Sequence, residues 1–167
     1  MEFDLRVSQH SDLDSLQRLS VRARHRYKST PALAHVAESL PLGADRFEAC
    51  RVVVAVDRHS GDIIGFAAMR LLDDDLYLDN ISVEPDASGK GVGKRLLASV
   101  EAYAHVCQLH AISLTTFREP RWNGPWFRRN GFQPMPAERI GDGLRSVMER
   151  QAQSFNPATR ETLWRLL

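Results

Sequence analysis

Three alternating glycines dominate the segment Val83-Glu84-Pro85-Asp86-Ala87-Ser88-Gly89-Lys90-Gly91-Val92-Gly93-Lys94-Arg95. It joins a β-branched stretch to an amphipathic one, so the glycines fall between a predicted strand and a predicted helix. Glycine lets successive N–H groups turn inward and lets backbone approach a ligand closely. A helix that starts at Val92 adds its unpaired N-terminal donors and the positive end of its dipole. Such a loop suits an anion, most naturally a pyrophosphate, and Lys90, Lys94 and Arg95 bring charge for outlying phosphates. Two better-known phosphate loops do not fit. A P-loop read back from Gly93-Lys94 would need glycine at Ser88 and a hydroxyl at Arg95; a dinucleotide fingerprint would need glycine at Lys94. The plainer alternative is a glycine-rich connection that binds nothing, although three glycines ahead of a helix are conformationally expensive. A few residues upstream, Asp79 interrupts the otherwise apolar run LYLDNISV. A half-buried carboxylate there could attract a cation or act as a base with a raised pKa, or else satisfy a backbone donor.

The glycine segment resembles the coenzyme A loop of the GNAT superfamily of N-acyltransferases. In that family a strand ends in Val-x-Pro and is followed by [Arg/Gln]-Gly-x-Gly-x-[Gly/Ala] at the start of a helix. Val83, Pro85, Gly89, Gly91 and Gly93 match, whereas Ser88 departs from the usual Arg or Gln. A second segment, Asn123-Gly124-Pro125-Trp126-Phe127-Arg128-Arg129-Asn130-Gly131-Phe132, is similar to the family's Asn-x-x-[aromatic]-Tyr-x-x-x-Gly-Phe run. The resemblance extends over about residues 2–136, and the remainder is less typical. It implies acetyl-CoA as co-substrate and an amine as acceptor, with Ser88, Gly89, Lys90, Gly91, Val92, Gly93 and Lys94 around the pyrophosphate. It also implies that backbone at Ile81, Ser82 and Val83 pairs with the cofactor arm and the thioester oxygen, that Asn123 hydrogen-bonds the arm, and that Asp79 orients or deprotonates the amine.

Acyl transfer to an amine needs a proton taken from the ammonium, an oxyanion held, and a thiolate released. The family's proton-donating tyrosine corresponds to Phe127, which has no proton to give. The thiolate then leaves unaided, or Tyr77, Tyr103 or water assists. The basic set Arg22, Arg24, His25, Arg26 and Lys28 reads as a solvated helix face, with attraction of an acidic acceptor as the alternative. Trp122 and Trp126 are read as packing residues or as walls of an acceptor pocket. An acyl-CoA-binding module without catalysis is the competing class, as is an acyltransferase acting on a protein amine.

The elements that must hold these residues follow from composition and period. The 167 residues are 43% hydrophobic and 26% charged, enough for one ordinary domain with a core. With 22 basic and 21 acidic side chains, the net charge is +1, which argues against a nucleic-acid partner. Cys50 and Cys107 show no metal spacing, and no metal is expected. Cys107 is read as a buried thiol. The opening MEFDLRVSQHSD lacks the apolar run of a secretory signal, and no apolar stretch reaches the roughly 20 residues of a membrane span. The expectation is a cytoplasmic protein that makes no use of a membrane; a homodimer is left open.

Strands are predicted at 2–7, 51–56, 63–71, 76–83, 111–117 and 160–167. Helices are predicted at 12–27 with Ser11 as cap, after the glycine loop, at 123–130 and at 143–153, with a looser helical segment between Pro31 and Pro41. The three strands over 51–83 read as antiparallel, and those at 76–83 and 111–117 as parallel across a right-handed crossover that splays to admit the cofactor. The expected architecture is α+β: one domain over 1–167, with a mixed central β-sheet flanked by helices.

Overall fold

In the computed structural model, which describes residues 1–167, the β-branched runs form strands and the periodic runs form helices. The strands are β1 (Phe3–Val7), β2 (Arg51–Asp57), β3 (Ile63–Leu72), β4 (Asp75–Val83), β5 (Ala111–Phe117), β6 (Gln133–Pro134) and β7 (Arg160–Leu166). The helices are α1 (Leu13–Ala23), α2 (Ala44–Glu48), α3 (Val92–Val106), α4 (Gly124–Arg129) and α5 (Asp142–Gln151). Hydrogen bonding orders the sheet β1-β2-β3-β4-β5-β7-β6, with β4 and β5 parallel and β1–β2, β2–β3, β5–β7 and β6–β7 antiparallel. This is the α+β fold with a mixed sheet that the sequence predicts. The chain divides into two compact units: Met1–Arg70 with Asp79–Val100, and Leu71–Leu78 with Glu101–Leu167.

In the first unit, Leu16 and Leu19 of α1 and Phe47 of α2 pack on Val52, Val54, Phe66 and Ala68 of the strands. Helix α3 presses its apolar stripe of Val92, Leu96 and Val100 inward. Gly65 of β3 makes this approach possible: a Cβ there would lie 3.0 Å from Val92 Cγ1 and 3.1 Å from Leu96 Cδ1. The start of α3, and with it the glycine loop, is therefore fixed against β3. Two details of the N-terminal helix differ from the sequence reading. The α-helical part ends at Ala23, and Tyr27 is buried from a 3-10 turn over Arg24–Ser29. Ser11 is exposed and caps nothing. Asp12 instead closes the 3-10 turn over His10–Asp12 that leads into α1, its carboxylate accepting from the Gln9 backbone N–H at 2.7 Å and from Arg6 Nη1 at 2.8 Å. The Pro31–Pro41 region is 3-10 helix over Pro31–Glu38.

In the second unit, β5 and β7 pair from Ala111 with Leu166 to Phe117 with Arg160. Edge strand β6, too short to carry a period, was not legible in the sequence. Asp73, in the turn before β4 and at φ 54°, reaches the start of α5 and accepts from the N–H groups of Gly143 at 2.8 Å and Leu144 at 3.0 Å. That cap seats Leu144 and Val147 on Tyr77 and Met135. Cys107 lies just past the end of α3 and is half-buried, so it does not continue the buried stripe. No helix is long and apolar enough to cross a membrane, and no group of three or more His, Cys, Asp or Glu side chains is placed to hold a metal ion.

Candidate active site

The glycine loop opens with a 3-10 turn over Pro85–Ala87 anchored by buried Ala87. Gly89 and Gly91 then adopt φ of 76° and 85°, the left-handed region that side chains disfavour. A Cβ on either would meet nothing within 4 Å, so the loop presents open backbone outward. Ser88, Gly89, Lys90, Gly91 and Lys94 are exposed, Gly93 is half-buried, and buried Val92 pins the first turn of α3. Arg95, expected beside the loop phosphates, is engaged with β1. Its Nη1 donates to Phe3 O at 3.1 Å and its guanidinium lies 4.6 Å over the Phe3 ring.

Two arginines from the N-terminal region reach this loop. Arg22 Nε donates to Glu84 Oε1 at 2.7 Å, and Arg26 Nη2 donates to Ser88 Oγ at 3.3 Å. The sequence reading treated both as members of a solvated face. Both contacts span 62 residues, so the two arginines and their two partners keep the same spacing of four. Arg26 brings a guanidinium to the position where Ser88 lacks one.

Asp79 marks the point on β4 where burial is lost. Leu76, Tyr77 and Leu78 are buried, and each residue from Asp79 to Val83 is half-exposed. The parallel ladder registers Leu76 with Ile112 and Tyr77 with Ser113. Ile81, Ser82 and Val83 follow, and Ser82 Oγ donates to Asn80 Oδ1 at 2.6 Å. The Asp79 side chain is 13% exposed and is held by Arg46 of α2, whose side chain is 42% exposed. Arg46 Nη2 and Nε lie 3.1 and 3.2 Å from the same oxygen, Oδ2. Oδ1 receives no hydrogen bond within the protein. Cys50 Sγ lies 4.0 Å from Oδ2, and burial together with the Asp79 charge pushes its pKa up to about 11. Arg46 was absent from the sequence reading, because nothing in a short helix after Pro41 announces a partner on a strand.

Among the other expected residues, Asn123 precedes α4 and its carbonyl accepts from the Phe127 N–H at 3.0 Å. Gly124 is required behind it, since a Cβ would lie against the Glu161 carboxylate and 2.8 Å from Arg118 O. Phe127 is 6% exposed and meets Trp126 and Phe132 edge to face at 5.0 and 5.5 Å. It is a packing residue, as expected; Tyr77, which the sequence offers as an alternative proton donor, is 1% exposed and lies in the cluster with Leu144 and Val147. A cavity of about 340 Å³ lies wholly inside the second unit and holds none of the expected residues. Arg160, on its wall, stacks over Phe117 at 4.4 Å and donates to Thr115 Oγ1 at 3.1 Å.

A profile of the acetyltransferase (GNAT) domain matches residues 48–134, just over half of the chain, including β2 to β4, the glycine loop, α3 and α4. An amino-acid acetyltransferase from Azotobacter vinelandii is 35% identical over 74 residues, a match covering 44% of this chain but only 16% of that protein. Among solved structures, the N-acetylglutamate synthase of Neisseria gonorrhoeae complexed with coenzyme A and N-acetyl-glutamate superposes with a TM-score of 0.73 at 18% identity. That superposition covers 100% of this chain and 35% of the synthase. The PaiA N-acetyltransferase of Thermoplasma acidophilum, in complex with coenzyme A, also gives 0.73, at 16% identity with 100% of both chains covered. The profile spans the open glycine loop and Asp79 alike, and the chain belongs to the GNAT acetyltransferase family.

Proposed function

We propose that this chain transfers the acetyl group of acetyl-CoA to the amine of a small molecule. The observation that carries the reading is the loop from Ser88 to Gly93: two glycines at positive φ, open backbone and the start of a 15-residue helix. These fit a pyrophosphate, because unpaired N–H groups and a helix dipole favour negative charge and no side chain blocks approach. Lys90 and Lys94 are exposed beside them, and Arg26 stands at Ser88. The backbone at Ile81, Ser82 and Val83 is assigned to the pantetheine arm and the thioester oxygen. The family resemblance supports this, as does the exposure gained along this part of β4.

Acetyl-CoA supplies an activated acyl carbon; the protein's task is to place an uncharged amine against it. Asp79 Oδ1 accepts the ammonium proton while Arg46 keeps the carboxylate oriented through Oδ2. The amine nitrogen forms its bond to the acyl carbon and the carbon–sulfur bond breaks. The sulfur takes up a proton, so an ammonium and acetyl-CoA give the N-acetyl product, coenzyme A thiol and one released proton. Phe127 offers no acid at the family's usual position, and a thiol with an ordinary pKa of roughly 8.5 is a tolerable leaving group without one. The same residue favours the second reading, an acyl-CoA binder without turnover.

Gly91→Val tests the loop. A branched side chain resists φ of 85° and projects into the open face. Titration calorimetry should show acetyl-CoA affinity reduced at least about tenfold in a folded variant. Unchanged affinity removes the basis of the reading.

A further inference from the structure

We infer that the acceptor amine carries an anionic group next to its nitrogen, most simply the carboxylate of an α-amino acid, and that Arg46 binds this group while Asp79 takes the ammonium. This inference rests on the acetyl-transfer reading. It starts from the setting of Asp79, whose one charged contact within the protein is the Arg46 guanidinium. Arg24 is partly buried, with Nη1 donating to Leu40 O at 2.6 Å, and its pKa is drawn down by desolvation and by the charge of Arg46. At Cys50, 4.0 Å from Asp79, the charges felt are the Asp79 carboxylate against the guanidiniums of Arg46 and Arg70.

A plain alkyl ammonium approaching Asp79 would therefore meet the Arg46 guanidinium beside a carboxylate that is already paired. An acceptor with its own carboxylate turns that repulsion into attraction. Arg46 uses only Nε and Nη2 within the protein, both on Oδ2, so its Nη1 edge can accept a second carboxylate without releasing the first. Asp79 mirrors it: Oδ2 is engaged and Oδ1 is open. The pair thus offers one open donor edge and one open acceptor, the complement of a zwitterion. Arginine's planar fork suits this better than lysine's point charge. A pair whose only task is to neutralise Asp79 would need neither open edge.

The test compares L-α-amino acids with their α-amides as acceptors at saturating acetyl-CoA, following thiol release. Wild type should favour the acids in kcat/KM by about 10–100-fold, the value of a charge-assisted contact. Arg46→Gln should reduce that preference to within about threefold, read as the ratio of kcat/KM for acid and amide, because any lost orientation of Asp79 slows both acceptors alike whereas the lost carboxylate contact falls on the acids only. Arg46→Lys should keep part of the preference, and calorimetry should give both variants the wild-type affinity for coenzyme A, which establishes that they fold. Amides used as well as acids, or a preference retained in Arg46→Gln, overturns the inference while acetyl transfer stands. Transfer to no amine of either kind overturns both.

Discussion

Serine at position 88 brings no charge to the glycine loop, and Arg26 places a guanidinium beside it from 62 residues earlier in the chain. Because Arg26 Nη2 already touches Ser88 Oγ, a second guanidinium at 88 would crowd the first. Ser88→Arg alone should therefore change coenzyme A affinity little. Arg26→Ala should weaken it by about 1 kcal/mol at low salt, with the loss shrinking as salt rises. The double variant should regain most of that loss, and the four affinities from calorimetry form a cycle that isolates the exchange. Additive effects would mean that Arg26 holds only the loop. Asp79 obeys a similar logic. Its residue type, within an apolar strand, marks it in the sequence; its partner Arg46, 33 positions away, does not. The pairing also alters what Asp79 is. The sequence shows it as a lone carboxylate, and the fold holds it against the Arg46 guanidinium with one oxygen open.

Helix α3 is the element on which the loop depends, and Gly65 is what lets it approach β3. Gly65→Ala would place a methyl group 3.0 Å from Val92 Cγ1 and 3.1 Å from Ser82 O, with backbone on one side unable to yield. Such overpacking costs typically about 1–3 kcal/mol. Urea unfolding should show that loss, and coenzyme A affinity should fall as well, because Val92 shifts at the helix start. A stable variant with full affinity would show that α3 has slack. Much at this scale was legible beforehand. The β-branched run Arg51–Asp57 and the stripe of Val92, Leu96 and Val100 announce strand and helix by period alone. Less was legible where a tertiary partner decides the outcome. The first helix leaves α geometry after Ala23, though Tyr27 falls on the predicted stripe, because a 3-10 turn also buries that ring. The cap at α5 comes from Asp73, some 70 residues away, and no local spacing could reveal it.

For the molecule as a whole, family membership and fold agree with the glycine loop, and the open question is whether chemistry follows binding. The loop, the half-exposed end of β4 and the open oxygen of Asp79 argue that it does; buried Phe127 leaves the thiolate without the usual acid. Free-thiol release from acetyl-CoA, recorded with and without an amino-acid acceptor for wild type and Asp79→Asn, decides between them. The account predicts release that depends on the acceptor in wild type. In Asp79→Asn the rate should be lower by about 10²–10⁴-fold while acetyl-CoA affinity stays nearly unchanged, since a positioned base acts on the rate. Tight acetyl-CoA binding with no amine-dependent thiol release in wild type would contradict it and leave a binding module in its place.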